Sequence, residues 1–235
     1  MSEWRPKRFW KTAEVTEAEG GFGVALDGRP VRTPGKRLLV VPTRALAEGI
    51  AAEWNAQNDV LQPETMPFTR AANTAIERVS AHRDAVVEEL ARYGASDLLC
   101  YRAEEPADLV DRQACDWDPI LSWAAAELGA RLRVTGGVVP IEQDPEALAA
   151  LVARLQALTP FQLTALHDLV AISGSLVLAF AVAMGRLTAE EAWQLSRLDE
   201  SWQAEHWGED EEAVQAEEIR RQAFLSAARF FLACP

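Results

Sequence analysis

The sequence predicts an α+β fold, with a small antiparallel β-rich N-terminal domain over residues 1–60 and a larger helical C-terminal domain over residues 61–235. The first observation is that short apolar runs near the start are divided by Gly-Gly, Asp-Gly and Pro-Gly pairs, of which Asp27-Gly28 is a strong hairpin signal. The second is that apolar residues recur at helical spacing from Thr43 onward. Strands followed by helices are typical of an α+β protein.

The β-rich part is expected to form a small antiparallel sheet or a partial barrel. Its strands are predicted over four short runs, residues 8–15, 22–26, 30–33 and 38–41. A helix follows, with Thr43 as its N-cap and with Leu46, Ile50 and Trp54 on one apolar stripe. This position predicts a structural role for Trp54, in the core rather than in contact with a partner.

The connection after this helix is expected to be extended, because Pro63 and Pro67 restrict the residues that precede them. Further helices are predicted over residues 69–80, 82–93, 108–128 and 145–158. Gly94 and Gly129 are expected at the ends of the second and third of these. Residues 95–103 form an ambiguous apolar stretch, and a short hairpin is predicted over residues 132–141.

The longest apolar run, residues 163–184, is long enough to suggest a membrane span. Polar residues interrupt it, and no aromatic or basic belt flanks both ends. We therefore expect one buried central helix that begins at Thr159-Pro160. Beyond it, Thr188 and Glu191 form a capping box for a helix that extends toward Gly208, and a last helix is predicted over residues 210–232.

The composition argues against some classes of function and indicates a cellular compartment. A net charge of −13 and a pI near 4.7 argue against nucleic-acid binding, which needs clustered Lys and Arg. Three widely spaced cysteines indicate a reducing compartment and unpaired thiols. The N-terminal residues contain no apolar secretory core, so we expect a bacterial cytoplasmic protein, or a mitochondrial matrix protein if the sequence is a mature eukaryotic form.

The most distinctive stretch covers residues 196–213, where two tryptophans five residues apart lie among many acidic side chains. Arg197 is its only full positive charge. Aromatic residues beside dense acid predict a surface that meets a basic or amide-rich partner. The alternative is a solvated helix end in which Trp202 and Trp207 are core residues.

No pattern in the sequence points to catalysis. The Gly21-Phe22-Gly23 run lacks the third glycine of a dinucleotide fingerprint, and none of the three histidines belongs to a paired Glu-x-x-His or a His-Glu-x-x-His motif. We therefore expect no catalytic residue, no metal and no cofactor. A metal-dependent or carboxylate-based hydrolase that uses the acidic residues from Glu200 to Glu212 stays as the alternative, because paired carboxylates can be distant in sequence.

Several short blocks, taken in order, resemble the chaperone family that assembles the F-type ATP synthase and handles the α subunit of its catalytic head. The blocks extend over most of the chain: Arg8-Phe9-Trp10-Lys11, Gly28 to Pro34, Glu53 to Gln57, Pro63, Met66 to Thr69, Asn73 to Ala75, Ser96 to Arg102, Asp118-Pro119 with Trp123, and Ser196 to Glu200 with Gln203 and Trp207-Gly208. Each block alone is weakly specific, whereas their common order is specific.

The resemblance implies a non-enzymatic chaperone that holds the free α subunit until the β subunit replaces it, and that is monomeric when free. It places function in the acidic block, with Glu200 first. The implied partner-binding residues are Glu200, Asp199, Gln203, Trp202, Trp207 and Glu205, and the implied structural residues are Trp54, Asn73, Asp97 and Gly208. The run from Glu209 to Glu212 is more acidic than expected for mitochondrial members, so its part in binding stays open.

Overall fold

The structure is a computed structural model that describes residues 7–208 and 210–235. It has the predicted α+β fold, with short antiparallel strands first and ten helices after them in the described ranges. The strands are β1 Ala13–Ala18, β2 Gly21–Leu26, β3 Arg29–Pro30, β4 Val40–Val41, β5 Tyr101–Arg102 and β6 Thr135–Gly136. The helices are α1 Arg44–Asn55, α2 Pro67–Thr74, α3 Arg83–Ala95, α4 Ala107–Trp123, α5 Pro145–Gln156, α6 Pro160–Ser173, α7 Leu176–Ala183, α8 Ala189–Ser196, α9 Leu198–Trp207 and α10 Glu211–Leu232.

Strand β2 is the centre of the N-terminal sheet. It pairs antiparallel with β1, where Ala13 lies opposite Leu26, and with both β3 and β4. Asp27 and Gly28 both have positive φ, as a type I′ hairpin turn requires, so this prediction is confirmed. The first strand is shorter than predicted and begins at Ala13 instead of residue 8.

Helix α1 joins the sheet to the helical part. The Thr43 side chain accepts a hydrogen bond from the Leu46 N–H, which confirms the predicted N-cap. At the other end of the helix, the Asn55 amide bonds both the N–H and the carbonyl of Ala13, each at 2.8 Å. The Glu53 carboxylate accepts hydrogen bonds from the N–H groups of Phe68 and Thr69, at 2.6 and 2.8 Å, and so caps α2.

The connection after α1 differs from the prediction. Pro63 begins a 3₁₀ turn over Pro63–Thr65, and Pro67 is the first residue of α2. Both prolines therefore occupy first-turn positions, where the missing N–H costs nothing. Gly94 also lies inside α3 rather than at its end, and a side chain there would meet Leu151 of α5.

The predicted hairpin over residues 132–141 is wrong. Strand β6 in this segment pairs in parallel with β5, more than thirty residues earlier in the chain, with Tyr101 opposite Thr135. The Gly137 N–H then donates to the Arg102 carbonyl at 2.8 Å. Residues 95–103, ambiguous in sequence, contain a 3₁₀ turn over Leu98–Cys100 and then β5.

The long apolar run forms two helices instead of one. Gly174 has φ +74° and ends α6, and the Ser175 side chain caps α7 by accepting from the Leu178 N–H. In the ranges described, no helix is both long and apolar enough to cross a bilayer. The buried apolar residues of the sheet and the helices belong to one contiguous core, so the division at residue 60 stays a proposal about chain organisation.

Candidate partner-binding surface

The helix predicted from Thr188 toward Gly208, which carries most of the acidic stretch, is two helices in the structure. Helix α8 begins with the predicted capping box of Thr188 and Glu191, and the chain breaks at Arg197 before α9. Leu198 and Trp202 are buried, whereas Glu200, Gln203, Glu205 and Trp207 are exposed on α9.

The two tryptophans have different surroundings. Trp202 is only 7% exposed, its Nε1 donates to the Asp108 carboxylate at 3.0 Å, and His206 stacks on its ring at 3.9 Å. Trp202 therefore packs α9 against α4 in the free chain, and its expected part in partner binding stays a prediction. Trp207 is 74% exposed and touches the Trp202 ring edge-on, so the core alternative is wrong for Trp207.

Three acidic side chains of α9 are each paired within the chain. The Glu200 carboxylate lies 2.7 Å from the Arg197 guanidinium, and the Glu205 carboxylate lies 2.8 Å from that of Arg112. This arginine lowers the pKa of Glu205, chiefly through its hydrogen bond. Asp199 is half-buried and accepts from the Gln113 amide at 2.7 Å. Each of these carboxylates therefore has a defined partner in the free chain.

A groove separates α9 from the N-terminal half of α10. It has a volume of about 410 Å³ and is lined by Glu200, Ser201, Ala204, Glu205, Gly208 and Glu217. Gly208 has φ +86°, a conformation that favours glycine, and it turns the chain from α9 toward α10. Sequence reasoning missed Glu217, because nothing local in the sequence indicates that α10 folds back beside α9.

Helix α10 has an exposed N-terminal half and a buried C-terminal half. Asp210 caps it by accepting from the Ala213 N–H. Val214 and Ile219 are 46% and 67% exposed, whereas Phe224 and Phe231 are buried. Arg221 fastens the helix to α8 through the Glu190 carboxylate at 2.8 Å. Glu209, whose role the sequence leaves open, lies outside the described residues.

The residues implied as structural lie in different parts of the fold. Asp97 is fully buried at the junction of α6 and α7, where it bonds Ser175 and Val177. Trp54 is half-buried, with its ring edge-to-face on Trp10 at 5.0 Å. Asn73 lies on α2, and its buried Oδ1 has no hydrogen-bond partner among the described residues.

The hydrolase alternative would need a metal site or a carboxyl poised as an acid. In the part of the chain that the structure describes, no group of three or more His, Cys, Asp and Glu side chains is arranged to hold a metal ion. Glu200 and Glu205 are engaged by arginines, and the pKa of Glu205 is shifted downward by Arg112. The geometry therefore offers this alternative no specific support.

Together, the fold and this surface define an α+β protein with an exposed acidic and aromatic helix pair near its C-terminal end. The sequence model of the ATP12 chaperone protein family matches residues 7–125. The chain belongs to this family, and the chaperone family of ATP synthase assembly predicted from the sequence blocks is confirmed.

Solved structures support the assignment over nearly the whole chain. The crystal structure of Atp12 from Paracoccus denitrificans is 51% identical, with a TM-score of 0.93 over 97% of this chain and 98% of that one. A variant of the same protein with one aspartate replaced by lysine matches equally well, over 97% of each chain. Atu1473 from Agrobacterium tumefaciens is 47% identical, with a TM-score of 0.94 over 97% of this chain and 86% of that one.

A eukaryotic relative is more distant. The mitochondrial protein atp12 of Schizosaccharomyces pombe is 26% identical over 94% of this chain and 81% of its own length. The family therefore has similar members in bacteria and in mitochondria.

Proposed function

We propose that this chain binds the free α subunit of the F-type ATP synthase catalytic head and prevents its aggregation until the β subunit replaces it. Membership of the ATP12 chaperone family supports this proposal. The observation that favours binding through α9 and α10 is that these helices expose Trp207 and Ile219 and also carry Glu200, Glu205 and Glu217, which line the groove between them.

The physical need for such a protein follows from how a ring subunit is built. An isolated α subunit exposes the apolar surface meant for its β neighbours, and a large exposed apolar patch promotes aggregation. A chaperone that must later leave needs an interface of modest size and mixed polarity. Trp207 provides an exposed aromatic anchor, and the surrounding carboxylates orient a basic rim on the client.

The ion pairs within the chain can be exchanged for ion pairs with the client. Glu200 and Glu205 are each about half exposed, so solvent screens their bonds to Arg197 and Arg112 and these bonds add little to stability. A basic group of the client can take a place beside either carboxylate at little cost, and the arginine restores the pair when the client leaves. The proposed cycle of binding and release therefore needs no large rearrangement of α9.

The remaining features of the proposal concern partners and place. We propose a chain that is monomeric when free, makes no nucleic-acid complex and does not insert into a membrane. The net charge of −13 supports the proposal that the chain makes no nucleic-acid complex. The compartment we propose is the bacterial cytoplasm, or the mitochondrial matrix for a mature eukaryotic form, since relatives of both kinds exist.

The proposal is tested by pull-down against separately expressed α and β subunits. We expect the wild-type chain to retain α and not β. Glu200→Lys is expected to weaken α binding by about tenfold or more, because it reverses a charge on the helix that carries the Trp207 anchor. Glu88→Lys is the matched control, since Glu88 is also an exposed glutamate paired within its helix to an arginine, Arg92.

The melting temperature is measured for both variants, so that loss of binding is not confused with loss of fold. Equal α binding by the wild type and by Glu200→Lys would move the site away from α9. Retention of neither subunit by the wild-type chain would contradict the proposed client.

A further inference from the structure

We propose that Gln113 is the positioning residue of the α9 surface, and that Asp199 acts through its hydrogen bond to Gln113 rather than through its charge on the client. This inference rests on the proposed function and gives Asp199 a different part in it. The acidic block of the sequence suggests that every carboxylate there faces the partner, whereas the structure separates this one from the others.

The side chain of Gln113 is fixed at both ends of its amide. It lies on α4 and is 1% exposed. Its Oε1 accepts from the Ala103 N–H at 2.8 Å, and its Nε2 donates to Asp199 Oδ1 at 2.7 Å. A flipped amide would set a donor against the Ala103 N–H, so only one orientation satisfies both bonds. The donor end of Gln113 is therefore directed at Asp199.

The surroundings of Gln113 are equally constrained. The Arg102 guanidinium donates to the Gln113 carbonyl at 3.1 Å, to the Leu99 carbonyl at 2.8 Å and to Asp118 at 2.8 Å. It also lies over the Trp117 ring, and its side chain is only 9% exposed. A buried arginine held on four sides makes this part of α4 a rigid support.

Asp199 connects this support to the proposed binding surface. It lies in the first turn of α9, next to Glu200 in sequence. Three other polar contacts hold α9 against α4, from Trp202 and His206 to Asp108 and from Glu205 to Arg112, and the two carboxylates are more than half exposed. The bond from Gln113 also joins a buried donor to a charged acceptor, but Asp199 is only partly exposed, so this bond is the best shielded from solvent of these polar contacts. We therefore assign the placement of the start of α9 to Gln113, while Arg197 holds the Glu200 carboxylate itself.

Variants that exchange the amide and the carboxylate between positions 113 and 199 test this inference. Asp199→Asn removes the charge but keeps an acceptor for Gln113, so α binding should stay within about twofold of wild type. Gln113→Glu sets two carboxylates against each other, and α binding should fall by about tenfold or more. The double variant Gln113→Glu/Asp199→Asn places an amide on α9 that donates to the new carboxylate on α4, and the Ala103 N–H still donates to that carboxylate. Binding by the double variant should therefore return to within about threefold of wild type.

Gln143→Glu is the control, because Gln143 is also a buried glutamine bonded through both ends of its amide, but to the backbone of Arg133. This variant is expected to lower the melting temperature about as much as Gln113→Glu does, and to leave α binding unchanged. Hydrogen exchange of the α9 amides in the free chains gives a second readout. Exchange should be faster than wild type in Gln113→Glu and normal in the double variant and in Gln143→Glu.

Two outcomes would overturn the inference. If Asp199→Asn weakens α binding as much as Gln113→Glu and the double variant stays weak, the charge of Asp199 acts on the client directly. If Gln113→Glu leaves both α binding and α9 exchange unchanged, Gln113 is only a packing residue. Failure of the wild-type chain to bind α would overturn the proposed function instead, and hydrogen exchange would still decide whether Gln113 positions α9.

Discussion

Replacement of Asp97 by alanine is expected to lower the free energy of unfolding by about 3–5 kcal/mol. The carboxylate is fully buried, and its Oδ1 accepts from the Leu99 N–H at 3.1 Å and from the Ser175 hydroxyl at 2.8 Å. Its Oδ2 accepts from the Val177 N–H at 3.0 Å, at the start of α7. Alanine would leave all three donors buried without a partner.

Chemical denaturation measures this loss, with Asp144→Ala as control. Asp144 also accepts from a backbone N–H, at the exposed start of α5, and its loss should cost only about 1 kcal/mol. Equal losses in the two variants would contradict the structural role given to Asp97.

The contribution of Asp97 to the free energy of unfolding depends on pH in a defined direction. Burial raises the pKa of Asp97 to about 6, above its ordinary value of 3.8. Between these values the folded chain holds a proton that the unfolded chain releases, so the contribution of this proton to stability is lost as the pH rises through about 6. Asp97→Asn removes this titration. The unfolding free energy of wild type minus that of Asp97→Asn should therefore be larger at a pH of about 4.5 than at neutral pH.

Replacement of Trp54 by glutamate is the second change with a large expected effect, about 3–5 kcal/mol of unfolding free energy. The Trp54 ring packs on Trp10, whose Nε1 donates to the Trp54 carbonyl at 3.2 Å, and the pair joins the segment before β1 to α1. A glutamate at this position would bring a charge into the contact and lose the ring.

Two further substitutions serve as controls for Trp54. The Trp54 Nε1 is buried without a hydrogen-bond partner among the described residues, so Trp54→Phe loses no hydrogen bond and should cost only about 1 kcal/mol. Trp207→Glu changes an exposed tryptophan and should stay within about 0.5 kcal/mol of wild type. If Trp54→Phe lowers the free energy of unfolding as much as Trp54→Glu does, the contact of an aromatic ring with Trp10 is not the source of the stability.

Features set by neighbours in sequence could be predicted, and those set across the fold could not. The N-caps at Thr43, Thr159 and Thr188 and the Asp27-Gly28 turn depend on local residues, and the structure confirms each. The parallel pairing of β5 with β6 depends on how α4 returns the chain, which no local pattern records. The break at Gly174 is hidden because apolar residues continue on both sides of it.

The candidate site also has features that the local sequence predicts and features that depend on packing across the fold. The acidic and aromatic composition of α9 is visible in sequence, and the part proposed for Glu200 rests on the resemblance. Burial of Trp202 and exposure of Trp207 are set by α4, which the sequence places some ninety residues away. The support from Gln113 depends on the same packing, because it joins α4 to α9 across the fold.

Light scattering by the isolated α subunit, diluted from denaturant, tests the central claim most directly. We expect an equimolar amount of this chain to suppress the rise in scattering, and later addition of β subunit to release the chain into solution as α and β associate. Glu200→Lys should suppress less at the same concentration, and Glu88→Lys should act like wild type. Scattering that rises equally with and without the chain would contradict the account.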